Sequence, residues 1–256
     1  MKAMIFAAGL GTRLKPITDT CPKALVKVGN KPMLQHTIEH LIQHGFTSII
    51  INIHYLGAQI VDFLKEHNNF GIHIELSDET NEVLETGGGL WNARNFFDND
   101  PFLVCNADVL TNINLTEFMT QHTQNNAIAT LAVRNRITSR YLLFDDDDIL
   151  FGWENVKKNE VKIPRKIRHD ERVDLKIKSN NGTYPLHEFA FSGYQILSPN
   201  IFTTCKRTGV FSMTDWYLDI CNEHTVRAFH HNQDLWIDIG SVAHLEEANS
   251  IINLKH

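Results

Sequence analysis

The apolar run Ala3-Met4-Ile5-Phe6-Ala7-Ala8 opens directly into Gly9-Leu10-Gly11-Thr12-Arg13-Leu14-Lys15-Pro16, with Pro22-Lys23 a little further on. A strand that ends in glycines lets the main chain approach a ligand closely, and its freed N–H groups can turn toward phosphate oxygens as an anion nest. Arg13 and Lys23 add the charge that amides lack, Arg13 as a planar fork and Lys23 as a mobile point charge. Neither of the two commonest phosphate loops is present. There is no Gly-x-x-x-x-Gly-Lys-Ser/Thr, and the third glycine of the dinucleotide fingerprint is replaced by Leu14.

After this opening the first half alternates strand and helix, the pattern of a parallel sheet. The first strand is expected over 2–8. Residues 31–44 carry Met33, Leu34, Ile38, Leu41 and Ile42 at helical spacing, begin at Pro32 and stop at Gly45. Strands are expected over 48–54, 71–77, 101–106 and 127–133, and helices over 56–66 and 115–124. Residues 85–94 begin with Gly87-Gly88-Gly89 and read as a loop leading into a helix. Asp108 lies just past the 101–106 strand, at the sheet edge where ligands of open α/β folds collect.

The second half is less regular. Residues 141–153 read as a hairpin turning at Asp145-Asp146-Asp147-Asp148, four carboxylates taken as solvated turn residues and not as a cation site. Residues 155–185 are basic and aperiodic, an expected flexible insertion. A strand over 189–197, a helix over 213–223 capped by Ser212 or Thr214, a strand over 226–230 and a helix over 242–254 follow. No internal repeat is evident.

With 256 residues, 43% of them hydrophobic, the chain can build one α/β domain; its net charge of −6 and pI of about 6.1 exclude nucleic acid or an acidic membrane as the main partner. The four cysteines lack metal or disulfide spacing and read as free thiols, and most of the 14 histidines read as solvated, none as a metal ligand. No run approaches the length of a membrane span, so a soluble cytoplasmic protein is expected.

Gly9-x-Gly11-Thr12-Arg13 with Pro22-Lys23 resembles the signature of the sugar-1-phosphate nucleotidyltransferase family. Further matches follow in the family's order: Lys31-Pro32-Met33-Leu34, Leu84-Glu85-Thr86-Gly87-Gly88-Gly89, Phe102 to Asp108, Phe191-Ser192-Gly193-Tyr194 and Trp236-Ile237-Asp238-Ile239-Gly240. The resemblance covers nearly the whole chain. It is strongest to N-acetylmuramate-1-phosphate uridylyltransferases, with hexose- and heptose-1-phosphate guanylyltransferases beside them. It implies a Rossmann-like, GT-A-like α/β fold with a mixed, mostly parallel sheet flanked by helices. Residues 1–135 would form a nucleotide-binding half and residues 136–256 a sugar-binding half of one nucleotidyltransferase domain.

The resemblance implies a nucleoside triphosphate and a sugar 1-phosphate as substrates, Mg2+ as cofactor and a role in cell-wall precursor synthesis. It implies catalytic roles for Arg13, Lys23 and Asp108, and nucleotide contacts from Leu10, Gly11, Thr12, Arg13, Lys23, Gly87 and Gly88. Asn106, Glu188, Ser192 and Gly193 would contact the sugar, and Asp108 and Asp238, each just past an apolar strand, would hold the metal. Where the family often has Glu-Lys-Pro, this chain has Glu154-Asn155-Val156, which leaves the sugar open. Nucleotidyl transfer between two anions needs charge neutralisation and alignment and no general base, since a phosphate monoester is already ionised near neutral pH. Two other classes are weighed. A glycosyltransferase of related topology typically uses Asp-x-Asp, whereas Asn106-Ala107-Asp108 supplies one carboxylate, and a non-catalytic sensor would not need the whole set. The sequence leaves the oligomeric state open and is compatible with a homodimer.

Overall fold

A computed structural model describes residues 1–164 and 186–254. In chain order the strands and helices are β1 (Lys2–Phe6), β2 (Lys27–Val28), β3 (Lys31–Pro32), α1 (Met33–Gln43), β4 (Ser48–Ile53), α2 (Gly57–Glu66) and β5 (His73–Asp78). Then come α3 (Glu85–Asn92), β6 (Phe102–Asn106), β7 (Val109–Thr111), α4 (Leu115–Asn125), β8 (Ala129–Arg134), β9 (Arg140–Phe144), β10 (Leu150–Asn155) and β11 (Glu160–Lys162). The described chain closes with β12 (His187–Leu197), α5 (Met213–Ile220), β13 (Val226–His230), β14 (Trp236–Asp238) and α6 (Val242–Asn253).

Among the described residues ten strands form one sheet, whose main path runs β11-β10-β9-β12-β6-β1-β4-β5. The block β6-β1-β4-β5 is parallel throughout, as the alternating sequence pattern requires. β12 then runs antiparallel to β6, β8 and β9, so this single long strand ties the second half to the first. Strand side chains alternate between faces, and both faces are covered. Ala3, Ile5, Ile49, Ile51, Leu103 and Cys105 pack on one side toward α1, α2 and α4. Met4, Ile50, Phe102 and Val104 pack on the other with Leu90 of α3 and Trp216 of α5. A third cluster joins Leu14, Val28, Met33, Leu110, Ile237 and Ile239 under α6.

The chain runs outward from β1 to β4 and β5, then returns to the opposite flank of β1 as β6. That reversal makes a crevice beyond the carboxyl ends of β1 and β6, the place where open α/β sheets bind ligands.

Several boundaries differ from the sequence reading. α1 starts at Met33 and not Lys31, because Lys31–Pro32 pairs with Lys27–Val28. The strand expected over 71–77 lies at His73–Asp78. The glycine stretch expected to be a loop is helical from Glu85. The hairpin turning at 145–148 is present, with Asp145 Oδ1 accepting from the N–H of Asp147 and Ile149 at 3.1 and 2.9 Å. Ser212, not Thr214, caps α5 by accepting from Asp215 N at 3.1 Å. Of the segment expected as an insertion, Asn155 is buried at the end of β10 and Glu160–Lys162 pairs with it as β11; residues 165–185 lie outside the described residues.

Candidate active site

Two carboxylates far apart in sequence meet because of a pair of three-residue strands. β14 pairs antiparallel with β7 so that Asp238 lies opposite Val109, and Ile239 N donates to Asp108 O at 3.0 Å. Lys23 sits between them, ion-paired with Asp108 Oδ2 and 3.8 Å from Asp238 Oδ1. Each carboxylate keeps one oxygen, Asp108 Oδ1 and Asp238 Oδ1, buried and without a hydrogen-bond partner among the described residues. A buried oxygen of this kind costs free energy until a donor or cation meets it.

Hard divalent cations satisfy such oxygens. Mg2+ is bound by one or two carboxylates, with waters and substrate phosphates completing its shell. Asp108 and Asp238 fit that donor set, and among the described residues no group of three His, Cys, Asp or Glu side chains gathers as an alternative centre.

The crevice itself is a cavity of about 220 Å3. The ends of β1 and β6 line it with Ala7, Ala8, Asn106 and Asp108, Lys23 reaches in from the loop, and Glu85 and Thr86 form its far wall. Gly9 also lines it, and a Cβ built there would meet no described atom within 4 Å, so a ligand can lie against this backbone. Gly11 takes a left-handed φ of 62°, and a side chain there would strike Thr18 Cγ2 at 2.8 Å. Thr18 Oγ1 donates to Gly11 O at 2.8 Å, which folds the loop back on itself, and Lys23 Cβ lies 3.1 Å from where a Cβ at Gly11 would sit.

Of the other residues singled out in the sequence, Leu10, Thr12 and Arg13 are exposed beside the crevice. Arg13 lies against Gly240 next to Asp238. A Cβ at Gly240 would fall 2.5 Å from Arg13 Nη2 and 2.8 Å from Asp238 Oδ1, so a side chain there would displace both of these groups. Asn106 lines the cavity and also packs on Gly193, whose φ of 83° sits at the break in β12 register.

Gly87 and Gly88 face the protein. Both N–H groups donate to Phe211 O, at 2.8 and 3.1 Å, and a Cβ on Gly88 would fall 2.4 Å from Gly209 O. Their backbone is close-packed against the 209–211 loop, which is why these glycines form a helix where a loop was expected. Glu188 is exposed on the β9–β12 side of the sheet, where it and burial together raise the carboxyl pKa of Glu154.

Ser192 is 1% exposed, with its hydroxyl 2.6 Å from His231 Nε2 and its carbonyl accepting from Trp236 Nε1 at 2.8 Å. Two histidines are exceptions to the reading of most as solvated. His122 and His231 are buried, and burial lowers both pKa values to about 4. Each trades water for hydroxyl partners, His122 for Thr130 and Ser198, His231 for Ser192.

Two residues on the crevice floor were not anticipated. Asn52 accepts from Ala7 N at 2.7 Å and donates to Glu79 Oε1 at 2.8 Å; Glu79 Oε2 accepts from Leu84 N at 3.2 Å. Glu79 is 3% exposed, and burial raises its carboxyl pKa. A polar Asn52 inside the apolar run Ile49 to Ile53 was the sequence signal for this floor.

The family described as nucleotidyl transferase matches residues 2–146. Over 252 residues, covering 98% of both chains, this protein is 32% identical to an N-acetylmuramate alpha-1-phosphate uridylyltransferase of Neisseria meningitidis. It is 40% identical over 134 residues to a mannose-1-phosphate guanyltransferase of Yarrowia lipolytica, a stretch that covers 51% of this chain and 37% of that one. Among solved structures, a UDP-glucose pyrophosphorylase of Acinetobacter baumanii superposes with a TM-score of 0.76 at 18% identity, covering 100% of this chain and 94% of that one, a likeness of fold. With a strand-end glycine loop, a switch-point crevice and converging carboxylates, in agreement with a full-length relative, the chain belongs to the nucleotidyl transferase family.

Proposed function

We propose that this protein joins UTP to N-acetylmuramate 1-phosphate, giving the UDP-sugar and pyrophosphate. The observation that carries the chemistry is the meeting of Asp108, Asp238 and Lys23 at the mouth of the β1–β6 crevice. The choice of substrates rests on the full-length similarity to the N-acetylmuramate alpha-1-phosphate uridylyltransferase. Residues 1–135 then hold chiefly the nucleotide and residues 136–256 chiefly the sugar. Four free thiols agree with a cytoplasmic reaction, and no helix among the described residues is long and apolar enough to cross a membrane.

An oxygen of the acceptor phosphate attacks the α-phosphorus of UTP. The new P–O bond forms as the bond from the α-phosphorus to the oxygen bridging it to the β-phosphorus breaks, and pyrophosphate leaves with that electron pair. The attacking phosphate is ionised near neutral pH, with a second pKa of about 6, so no side chain has to remove a proton. Asp108 and Asp238 would hold a divalent cation such as Mg2+, which when bound would supply charge neutralisation for the phosphate oxygens. Lys23 provides a mobile ammonium beside both carboxylates, placed to follow charge onto the departing pyrophosphate. Arg13, at the loop's outer edge, offers a two-pronged contact to a triphosphate, and Gly9 lets that triphosphate lie close to the chain.

A guanylyltransferase acting on mannose or heptose 1-phosphate is the second reading, favoured by the similarity of about half of this chain to mannose-1-phosphate guanyltransferases. Incubation of the protein with each of four triphosphates, crossed with muramate, hexose and heptose 1-phosphates in the presence of magnesium, separates the two. UTP with N-acetylmuramate 1-phosphate should give the fastest pyrophosphate release. A preference for GTP would replace the first reading by the second.

A further inference from the structure

Beyond the crevice, a second cavity of about 220 Å3 opens beside Asp238, lined by Arg134, Arg136, Trp236 and His244 among others. Trp236 and Asp238 are two residues apart on β14 and so face the same side of it. Both arginines lie over the Trp236 indole, with guanidinium carbons 5.5 Å (Arg134) and 4.5 Å (Arg136) from the ring centroid. The indole is itself fixed, because its N–H donates to Ser192 O at 2.8 Å.

These arginines are held by neutral groups. Arg134 donates to Asp234 O and Asn232 O at 3.4 and 3.3 Å, and Arg136 donates through Nη2 to Phe191 O at 3.1 Å. No carboxylate lies within ion-pair distance of either among the described residues, and Arg136 Nε is buried with no hydrogen-bond partner. Burial lowers the pKa of both guanidinium groups. Two guanidinium groups on a fixed aromatic floor, partly stripped of water and short of acceptors, form a site that an oxyanion would complete. Asp238 and Glu247 are the carboxylates that line the same cavity, and Asp238 is the one assigned above to the metal.

We propose that Arg134, Arg136 and Trp236 form an oxyanion subsite for the acceptor substrate, with the guanidinium Nη groups as its donors. The inference rests on the nucleotidyl-transfer reading for the identity of that acceptor, a sugar 1-phosphate. Lys23 touches both Asp108, which lines the nucleotide crevice, and Asp238, which lines this second cavity, so an anion here lies next to the reacting centre. It also addresses a gap in the sequence. Where relatives often carry the lysine of Glu-Lys-Pro, this chain has Asn155, which is buried and uses its side chain on the N–H of Lys157 and Lys158. Two oxyanions could fill the subsite, the 1-phosphate itself or a carboxylate elsewhere on an acidic sugar such as N-acetylmuramate.

The test uses the full-length protein with magnesium and two acceptors, N-acetylmuramate 1-phosphate and N-acetylglucosamine 1-phosphate, which differ by the lactyl carboxylate. Arg136→Gln should raise the acceptor KM, and weaken acceptor binding by titration calorimetry, by about ten- to a hundredfold, the effect of losing a charge-assisted contact. The KM for UTP should stay within about twofold. A loss shared by both acceptors identifies the phosphate as the ligand; a loss confined to N-acetylmuramate 1-phosphate identifies the carboxylate. Arg134→Gln, whose partners are peripheral carbonyls, should show the same pattern more weakly and serves if Arg136→Gln does not fold. Unchanged KM and unchanged affinity for both acceptors in a folded, active variant would overturn the subsite. Binding that depends on Arg136 without any pyrophosphate release by the wild type would instead overturn the nucleotidyl-transfer reading and leave the subsite standing. Failure of the wild type to bind either acceptor would overturn both.

Discussion

Asp108 and Asp238 differ from ordinary strand-end aspartates in one respect, a buried oxygen on each that accepts no hydrogen bond among the described residues, with only the Lys23 ammonium 3.8 Å from that of Asp238. Asp108→Asn preserves shape and removes a charged ligand, so turnover at saturating magnesium should fall by at least about a hundredfold, on the scale of losing one electrostatic stabiliser. Near wild-type pyrophosphate release from that variant would remove Asp108 from the metal site. Lys23 and Arg13 are separable by geometry. Lys23, partly buried between the carboxylates, should be the more sensitive, with Lys23→Ala at least as damaging as Arg13→Lys, which keeps charge but loses the fork. Triphosphate affinity measured by calorimetry should drop in both variants, and affinity unchanged in both would count against the loop as a phosphate grip. At this scale the sequence was informative where chemistry sits at a strand end, as at Asn106 and Asp108, or in a motif loop, as at Lys23. It was silent on Glu79, which is polar, isolated and flanked by polar residues, so that its burial depends on Asn52 and Leu84 from other elements.

Elements that close on distant partners were the least legible. β7 and β14 have three residues each, too few for a period to declare itself, yet their pairing brings Asp238 to Asp108. The long parallel strands and the amphipathic helices α1 and α2 followed their patterns to within a few residues, because burial on defined faces is written into apolar spacing. α3 inverted its propensity. Three glycines make a poor helix in isolation, and here they form one because only glycine allows Phe211 and Gly209 to approach. Gly88→Ala, favourable by propensity alone, should therefore destabilise the fold by about 1–3 kcal/mol through overpacking. Thermal unfolding monitored by circular dichroism checks this, and a raised midpoint would mean that the 209–211 loop yields to the added methyl.

At the scale of the whole molecule, buried histidines make stability depend on pH. Burial lowers His40, His122 and His231 from an ordinary 6.5 to about 4, so between those values the unfolded chain takes up protons that the native chain does not. Stability should thus be at its full value above pH 6.5 for these groups and decline as pH falls toward about 4, by at most about 1.4 kcal/mol per pH unit for each histidine. Urea midpoints measured from pH 7 to pH 4.5 should decline, and His122→Asn should flatten the decline; an identical slope in the variant would show that His122 titrates normally. The ten-stranded sheet carries the crevice, through β1 and β6, and reaches the second cavity at the end of β8, whose other wall is β14 of the separate β14–β7 pair. The most direct test of nucleotidyl transfer by this assembly is the fate of the α-phosphate. With UTP labelled at the α-phosphorus, N-acetylmuramate 1-phosphate and magnesium, the label should appear in a UDP-sugar with one pyrophosphate released per label transferred, and both should vanish without the acceptor. Label recovered as UMP, or left in UTP while the sugar is consumed, would contradict the account.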